Sequence, residues 1–478
     1  MRAHPNVVIL MNDQHSHDVL GCAGFGPLRT PALDRLAADG VRFTQATCAS
    51  TPCLPSRHNL LHGLYAFQTG AYTNGHCLSV DEIPSLTMGR VFRDAGYRTA
   101  ACGKMHLFPY STRMERGSHF GFDYRVGHFH ETGETMQSHF VREHRDWAEA
   151  AWQEREAHGI SKGGDGCTAD YLGYVSEFPL AQCRDWYSAG KAAEFVENNA
   201  DAPFLLVCSL IDPHAPHVVP KDLAGLYAPE EVPLPPAPPD GLPDASDYEQ
   251  FAGLSRDDLK TVVARHMALV SATDACHARV LDALDRAGLY DETLVVFLAD
   301  HGELLGSRGT KAFSKYNLYG QAIRVPLIVK PPKSLGASQA GTTCDALVSL
   351  VDVLPTALNA ASLPGAGQLP GIDLGPLFSG RSPEREREAA ITEYRRQSRL
   401  FYAVRGREWK YIHGPHGEEL YHLAEDPREF VNLAVRPEAR ERIAEFKSAL
   451  LEEYRVVFDR TANKALGYER QEWDFLAP

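Results

Sequence analysis

The chain has no Cys-x2-Cys pair, although ten cysteines are scattered along its 478 residues. Without paired spacing, neither a zinc knuckle nor a disulfide scaffold is expected. No stretch approaches the ~20 apolar residues that a transmembrane helix needs. Met1 leads almost directly into an apolar segment at Asn6, which leaves no room for a secretory leader. A reduced, cytoplasmic setting is therefore expected. Positive charge is also short: 48 Lys and Arg stand against 62 Asp and Glu, a formal net charge of −14. That argues against a general binder of nucleic acid or of anionic membranes. An anionic substrate would need a local positive site built from a metal, Lys and Arg. Internal repeats and low-complexity tracts are missing as well. The length suffices for one large core and a smaller domain.

What is present is an alternation of strands and helices. Asn6–Met11 is a short β-branched run that reads as a buried central strand, and it ends in Asn12-Asp13-Gln14. Thr30-Pro31 opens a helix through Asp39, and Val41–Thr44 reads as a strand. The next helix is expected over Ser56–His62, and another, capped by Ser85, over Leu86–Ala95. Strands are expected over Tyr97–Cys102, Phe204–Ser209 and Thr293–Leu298, and after Arg324-Val325-Pro326 through Val329. A long helix capped by Ser255 runs to about Ala287, and Val348–Ala360 reads as a helix. Residues 107–195 lack steady periodicity and read as loops and short helices. The Pro-rich run 215–243 reads as a surface loop, and the prolines around His214 suggest an extended segment.

This pattern predicts a large doubly wound α/β domain, mostly parallel or mixed, over residues 1–380. After a linker near Ser379–Glu388, short strands at Ile391–Tyr394, Phe401–Arg405, Lys410–His413 and Glu419–His422 precede a helix, Pro437–Tyr454. That predicts a small antiparallel α+β domain over 381–460. The tail, 461–478, carries Trp473 and Phe475, which fit contacts with a second subunit or with its own domain equally well.

Polar clusters recur at the ends of these strands: Asp13-Gln14, Lys104 with His106, His214, and Asp300-His301. Open α/β sheets place their sites at the carboxyl ends of strands. Lys104 and His106 would share one side of an extended segment. Taken singly, each residue has an ordinary explanation as a turn or a solvated charge. Cys53-Leu54-Pro55-Ser56-Arg57 changes the balance. A cysteine at a helix N-terminus, with an arginine one turn in, suits an anion. Asp13, Gln14, Asp300 and His301 offer oxygen and nitrogen donors for one divalent cation, Ca²⁺, Mg²⁺ or Mn²⁺, the histidine tilting toward Mn²⁺ or a transition metal.

The order of these motifs resembles the formylglycine-dependent sulfatases of the alkaline-phosphatase superfamily. The resemblance rests on Cys53-x-Pro55-Ser56-Arg57, Gly103-Lys104-Met105-His106, Asp212-Pro213-His214-x-Pro216, Asp300-His301-Gly302-Glu303 and Arg324-Val325-Pro326. It extends from Asn6 to about Asn432. It implies that a separate maturation enzyme converts Cys53 to formylglycine, whose hydrate attacks the sulfur of a small anionic sulfate ester and forms a covalent sulfate. One divalent ion, Ca²⁺ or Mn²⁺, would be held by Asp13, Gln14, Asp300 and His301 beside Cys53. Arg57 and Lys104 would hold the formylglycine oxygens. His214 and Lys315 would contact the sulfate and assist the leaving oxygen, and His106 would take the proton that lets sulfate depart. Asn74 matches a substrate-side position.

Two departures stand out. Many sulfatases have Asp-Asp and Asp-Asn where this chain has Asp13-Gln14 and Asp300-His301, so the donor set carries less negative charge. The same pairs occur among phosphonate monoester and phosphodiester hydrolases, which form the alternative reading. The loop before Arg324 seats either Lys315 or Lys311 in the substrate position; counting back from Arg324 favours Lys315. A third reading, a silent scaffold with unmodified Cys53, fits poorly with so many intact chemical positions.

Overall fold

All seven residues of strand β1, Asn6–Asn12, are buried. A run of Val, Ile and Leu needs cover on both faces and partners on both edges. In the computed structural model, Val7, Ile9 and Met11 enter one core, and Val8 and Leu10 enter a second core behind the sheet. The structure describes residues 4–75, 77, 87–108, 120–127, 139–160, 168–236, 239, 242, 254–309, 313, 315–336, 338–396 and 399–461.

The other strands of the main sheet follow in chain order. They begin with β2 (Val41–Thr47), β3 (Arg98–Gly103) and β4 (Tyr124–Val126). A separate two-stranded ribbon pairs β5 (Tyr174–Val175) with β7 (Val218–Val219), and β6 (Phe204–Ser209) lies between them in sequence. The main sheet is completed by β8 (Thr293–Ala299), β9 (Leu327–Lys330) and β10 (Thr342–Ser349). Its order is β10-β2-β9-β8-β1-β6-β3-β4. All neighbours are parallel except β9, which is antiparallel to β8 and β2. The expected mixed, doubly wound sheet is what forms. β8, β1, β6 and β3 are consecutive and parallel, so their carboxyl ends lie side by side. Adjacent strands are only about 4.8 Å apart, which brings four sequence-distant segments together.

A second sheet, β11 (Ala390–Arg396), β12 (Arg399–Arg405), β13 (Trp409–Gly414) and β14 (Gly417–His422), is antiparallel throughout. It docks on the chain just before Cys53. Thr392 Oγ1 donates to the Cys48 carbonyl at 2.6 Å, and the Glu393 amide donates to the Ala49 carbonyl at 2.9 Å. Both partners lie in the approach to the cysteine.

Several boundaries differ from the sequence expectation. The helix expected from Ser56 begins at Cys53 and runs to His62. Pro55 does not delay it, because first-turn amides have no intrahelical partner to lose. β2 continues to Thr47 because β10 pairs with it up to Ser349↔Thr47. Val348 therefore ends a strand, and the helix expected to start there spans Val353–Ala360, after a tight turn capped by Ser349 and Asp352. Strand β10 itself escapes a sequence reading, since Thr342, Thr343 and Asp345 are exposed and break the apolar run. At the end of 107–195, Arg184–Asn198 is a full helix that buries Asp185, Phe195 and Val196 beside the small residues Ser188, Ala189, Gly190, Ala192 and Ala193. The segment around His214 bends instead of extending. The final helix spans Ala439–Thr461. The Ser85 cap and the tail aromatics Trp473 and Phe475 lie outside the described residues.

Candidate active site

Every residue of the helix Cys53–His62 is buried. Its N-terminus points into the carboxyl edge of the main sheet. Pro52 contributes no side-chain cap, and the Asn74 Oδ1 accepts from the Leu54 amide at 3.0 Å instead. The Asn74 amide nitrogen donates to the Tyr316 hydroxyl at 3.1 Å. Asn74 thus sits beside Cys53 as a cap of its helix.

Arg57, one turn in, is 1% exposed. Its Nε donates to Asp300 Oδ2 at 2.9 Å, and its Nη2 to Asp13 Oδ2 at 3.1 Å. Its Nη1 donates to Ser209 Oγ at 2.9 Å and to the Lys104 carbonyl. The expectation that Arg57 holds oxygens on Cys53 therefore shifts. Its fork is engaged by two carboxylates from β1 and β8, which it fixes relative to each other. Ser56 adds a hydrogen bond to the Asp300 carbonyl.

Around the Cys53 Sγ lie His301 Nε2 at 3.2 Å, Lys315 Nζ at 3.0 Å, Asp13 Oδ1 at 3.8 Å and Lys104 Nζ at 3.9 Å. His106 also lies close enough to interact with Cys53. Lys104 and His106 do reach one point, though not by strand alternation: β3 ends at Gly103, and His106 has a left-handed φ of 48°. Lys104 pairs with Asp13. Lys315 also donates to Gln14 Oε1 at 3.0 Å and meets His214 Nε2 at 2.6 Å. Lys311 lies outside the described residues.

The charges explain the proton affinities. Burial alone would push the Cys53 thiol up, but Lys104, Lys315, His301 and His106 bring it well below the ordinary thiol range. Burial and Cys53 push the Asp13 carboxyl up, while Lys104, His214 and Arg57 hold it below the carboxylate range. Burial depresses His106, so the neutral imidazole is favoured there. Burial would also depress His301, yet Asp300 and Cys53 outweigh it and raise the value.

Asp13, Cys53, Asp300 and His301 are all buried, and one donor atom from each lies within 4.8 Å of the others. The chemistry of this set fits a divalent cation. His301 Nδ1 sits 2.9 Å from the Gly302 carbonyl, which turns Nε2 toward Asp13 and Asp300 at 3.7 and 3.6 Å. Gln14 adjoins the set through its amide, 3.1 Å from Asp300 Oδ1. A sequence reading gave no role to Glu303 or Ser209. Both are buried at the site; Glu303 was marked only as the last residue of the Asp300-His301-Gly302-Glu303 motif, and Ser209 only by its place at a strand end.

A buried thiol, two carboxylates, a histidine and a ring of cations at the carboxyl edge of a mixed α/β sheet define a centre of the alkaline-phosphatase superfamily type. Within that class, the chain belongs to the sulfatase family, whose model matches residues 5–363. A second model, the N-sulphoglucosamine sulphohydrolase C-terminal region, matches residues 309–456. The chain is 29% identical to an ulvan-active sulfatase of Formosa agariphila, over 91% of this chain and 78% of that protein. The fold is similar to that of a phosphonate monoester hydrolase of Agrobacterium radiobacter, with a TM-score of 0.80, 22% identity, and coverage of 95% and 96%. A solved structure in complex with its substrate D-glucosamine-2-N,6-O-disulfate superposes with a TM-score of 0.72, 21% identity, and coverage of 98% and 100%.

Proposed function

We propose that this chain is a formylglycine-dependent sulfatase that cleaves a small anionic sulfate ester to an alcohol and inorganic sulfate. The observation that carries the reading is the set of groups converging on Cys53: three potential metal ligands, two lysines and a neutral histidine, all buried. The Cys53 Sγ stands where the oxygens of the modified side chain would be. Modification requires a separate maturation enzyme.

One divalent ion, Ca²⁺ or Mn²⁺, would be held by Asp13, Gln14, Asp300 and His301. When bound, it lowers the proton affinity of a nucleophilic oxygen at neutral pH. The protein residues supply the rest. Arg57 locks Asp13 against Asp300 and so sets the spacing of the anionic donors. Lys104 and Lys315 supply positive charge on two sides of Cys53, which offsets the net charge of the chain locally. His214 places its Nδ1 against the Ala215 carbonyl and its Nε2 against Lys315. With the Nδ1 proton held by that carbonyl, Nε2 accepts from Lys315 and steers the ammonium. Lys315 then donates to the leaving oxygen as the S–O bond breaks, where negative charge builds. His106, neutral and next to Cys53, takes the proton that releases sulfate.

A second reading, a phosphonate monoester or phosphodiester hydrolase, draws on the Gln14 and His301 pair and uses the same residues. One preparation, matured and metal-loaded, separates the two. The peptide spanning Cys53 should be ~18 Da lighter than its thiol form, as expected when sulfur is replaced by oxygen and two hydrogens are lost. Relative kcat/KM on matched aryl sulfate and aryl phosphonate or phosphodiester substrates then decides the substrate. A preference for the sulfate supports the leading reading, and a preference for the phosphorus ester transfers the site to the second. A plain thiol with no turnover, after co-expression with an active maturation enzyme, removes both.

A further inference from the structure

Glu303 closes the Asp300-His301-Gly302-Glu303 segment, and the mechanism above gives it no task. Its side chain is 1% exposed. Its Oε2 accepts from Gln14 Nε2, and its Oε1 accepts from the Leu305 amide at 3.2 Å. Its backbone is tied to Ser16. The Glu303 amide donates to Ser16 Oγ at 3.2 Å, and that hydroxyl donates to the Glu303 carbonyl at 2.5 Å. The carboxylate is therefore anchored at both ends.

Gln14 is held equally firmly. Its φ is 59°, a left-handed value uncommon for a residue with a side chain. Its backbone N–H donates to Asp300 Oδ1 at 3.1 Å, and its side-chain Oε1 receives the Lys315 ammonium at 3.0 Å. A carboxamide has two ends of nearly equal size and opposite hydrogen-bond character. A carboxylate only accepts. Facing Gln14, it can be satisfied by the NH2 end alone, and the carbonyl end must then turn toward Lys315 and the metal-ligand group. A carboxylate at position 14 would instead place two acceptors against each other in a buried space, with no proton between them.

We propose that Glu303 is a positioning residue for the metal centre: it sets the orientation of the Gln14 amide, so that Oε1 faces the Asp13–Asp300–His301 group as a neutral donor. Residues 14 and 303 act as one unit, in which one side must donate and the other accept. This inference rests on the metal-site reading above.

The test is Mn²⁺ affinity by calorimetry on chelator-stripped full-length protein, together with the Mn²⁺-dependent rise in Tm. Gln14→Glu removes the donor, Glu303→Ala removes the acceptor, and the double variant Gln14→Glu/Glu303→Gln exchanges the two roles. Each single change should weaken Mn²⁺ binding by roughly 10–100-fold, the usual cost of losing a partner of a metal ligand. The exchange should recover most of that loss, which a merely structural role for Glu303 would not produce. Wild-type affinity in Glu303→Ala, tighter binding in Gln14→Glu, or an exchange variant no better than Gln14→Glu would each overturn the proposal. If Gln14→Glu does not fold, the affinity of Glu303→Ala and the folding of the exchange variant decide the matter. A wild-type protein that takes up neither Mn²⁺ nor Ca²⁺ would overturn the metal-site reading itself and this inference with it.

Discussion

Arg57 shows how one side chain can organise a buried charge cluster. Two carboxylates just beyond neighbouring strands share one planar fork in the core, with Lys104 as a further cation on Asp13. Replacing Arg57 with Gln should cost about 3–5 kcal/mol, the price of leaving buried charges unpaired. Urea unfolding at pH 7 measures it, and a loss below 1 kcal/mol would mean that Lys104 alone satisfies Asp13. Arg57→Lys should not restore stability, because an ammonium cannot span Asp300, Asp13 and Ser209 in fixed directions. Cys53→Ala should behave in the opposite way. It removes turnover while leaving Tm within a few degrees, since Lys315 keeps its bonds to Gln14 and His214. Residual turnover near the wild-type rate would show that the nucleophile lies elsewhere.

Strand β11 ties the second sheet to the segment that leads into the Cys53 helix. Glu393 lies on it, wholly buried, accepting from the Phe67 amide at 3.1 Å and from the Tyr454 hydroxyl at 3.0 Å. Burial pushes its carboxyl up from 4.5 to about 7, against those hydrogen bonds. A value raised by folding gives stability that is complete below the unfolded value and is lost as pH climbs through the folded one. Between about pH 4.5 and 7 the protein therefore loses stability from this group, on the order of 3 kcal/mol at 1.36 kcal/mol per unit. Glu393→Gln should leave Tm nearly unchanged near pH 5 and raise it at pH 8. An equal fall at both values would show that accepting the two hydrogen bonds matters more than ionisation.

The two sheets depend on each other. We propose domains over 1–380 and 381–460, yet buried contacts cross between them near the site. Arg387 Nη2 meets Asp352 Oδ1 at 2.5 Å, its Nη1 donates to the Tyr65 hydroxyl at 3.0 Å, and Thr392 and Glu393 hold the Cys48–Ala49 backbone. A chain ending at residue 380 should therefore be aggregated or lack a cooperative thermal transition. A soluble fragment with a sharp transition would show that the larger domain is self-sufficient. No helix among the described residues is long and apolar enough to cross a membrane.

The sequence by itself determined the strands of the main sheet that are apolar from end to end. Asn6–Met11, Phe204–Ser209 and Thr293–Leu298 are short, nearly continuous apolar runs bounded by polar residues, so local pattern suffices. It also determined which side chains lie at strand ends, and hence the candidate site from Asp13 to His301. β10 and the helix Arg184–Asn198 were not legible, because one has exposed polar residues at its start and the other buries mostly small residues, with only Phe195 and Val196 as larger apolar ones. The jobs within the site were decided only by the tertiary structure. Whether Arg57 reaches Cys53 or the carboxylates, whether Asn74 caps a helix, and what Glu303 accepts all depend on the strand order β8-β1-β6-β3. That order is set by long-range pairing, and local residue patterns carry no record of which strand lies beside which.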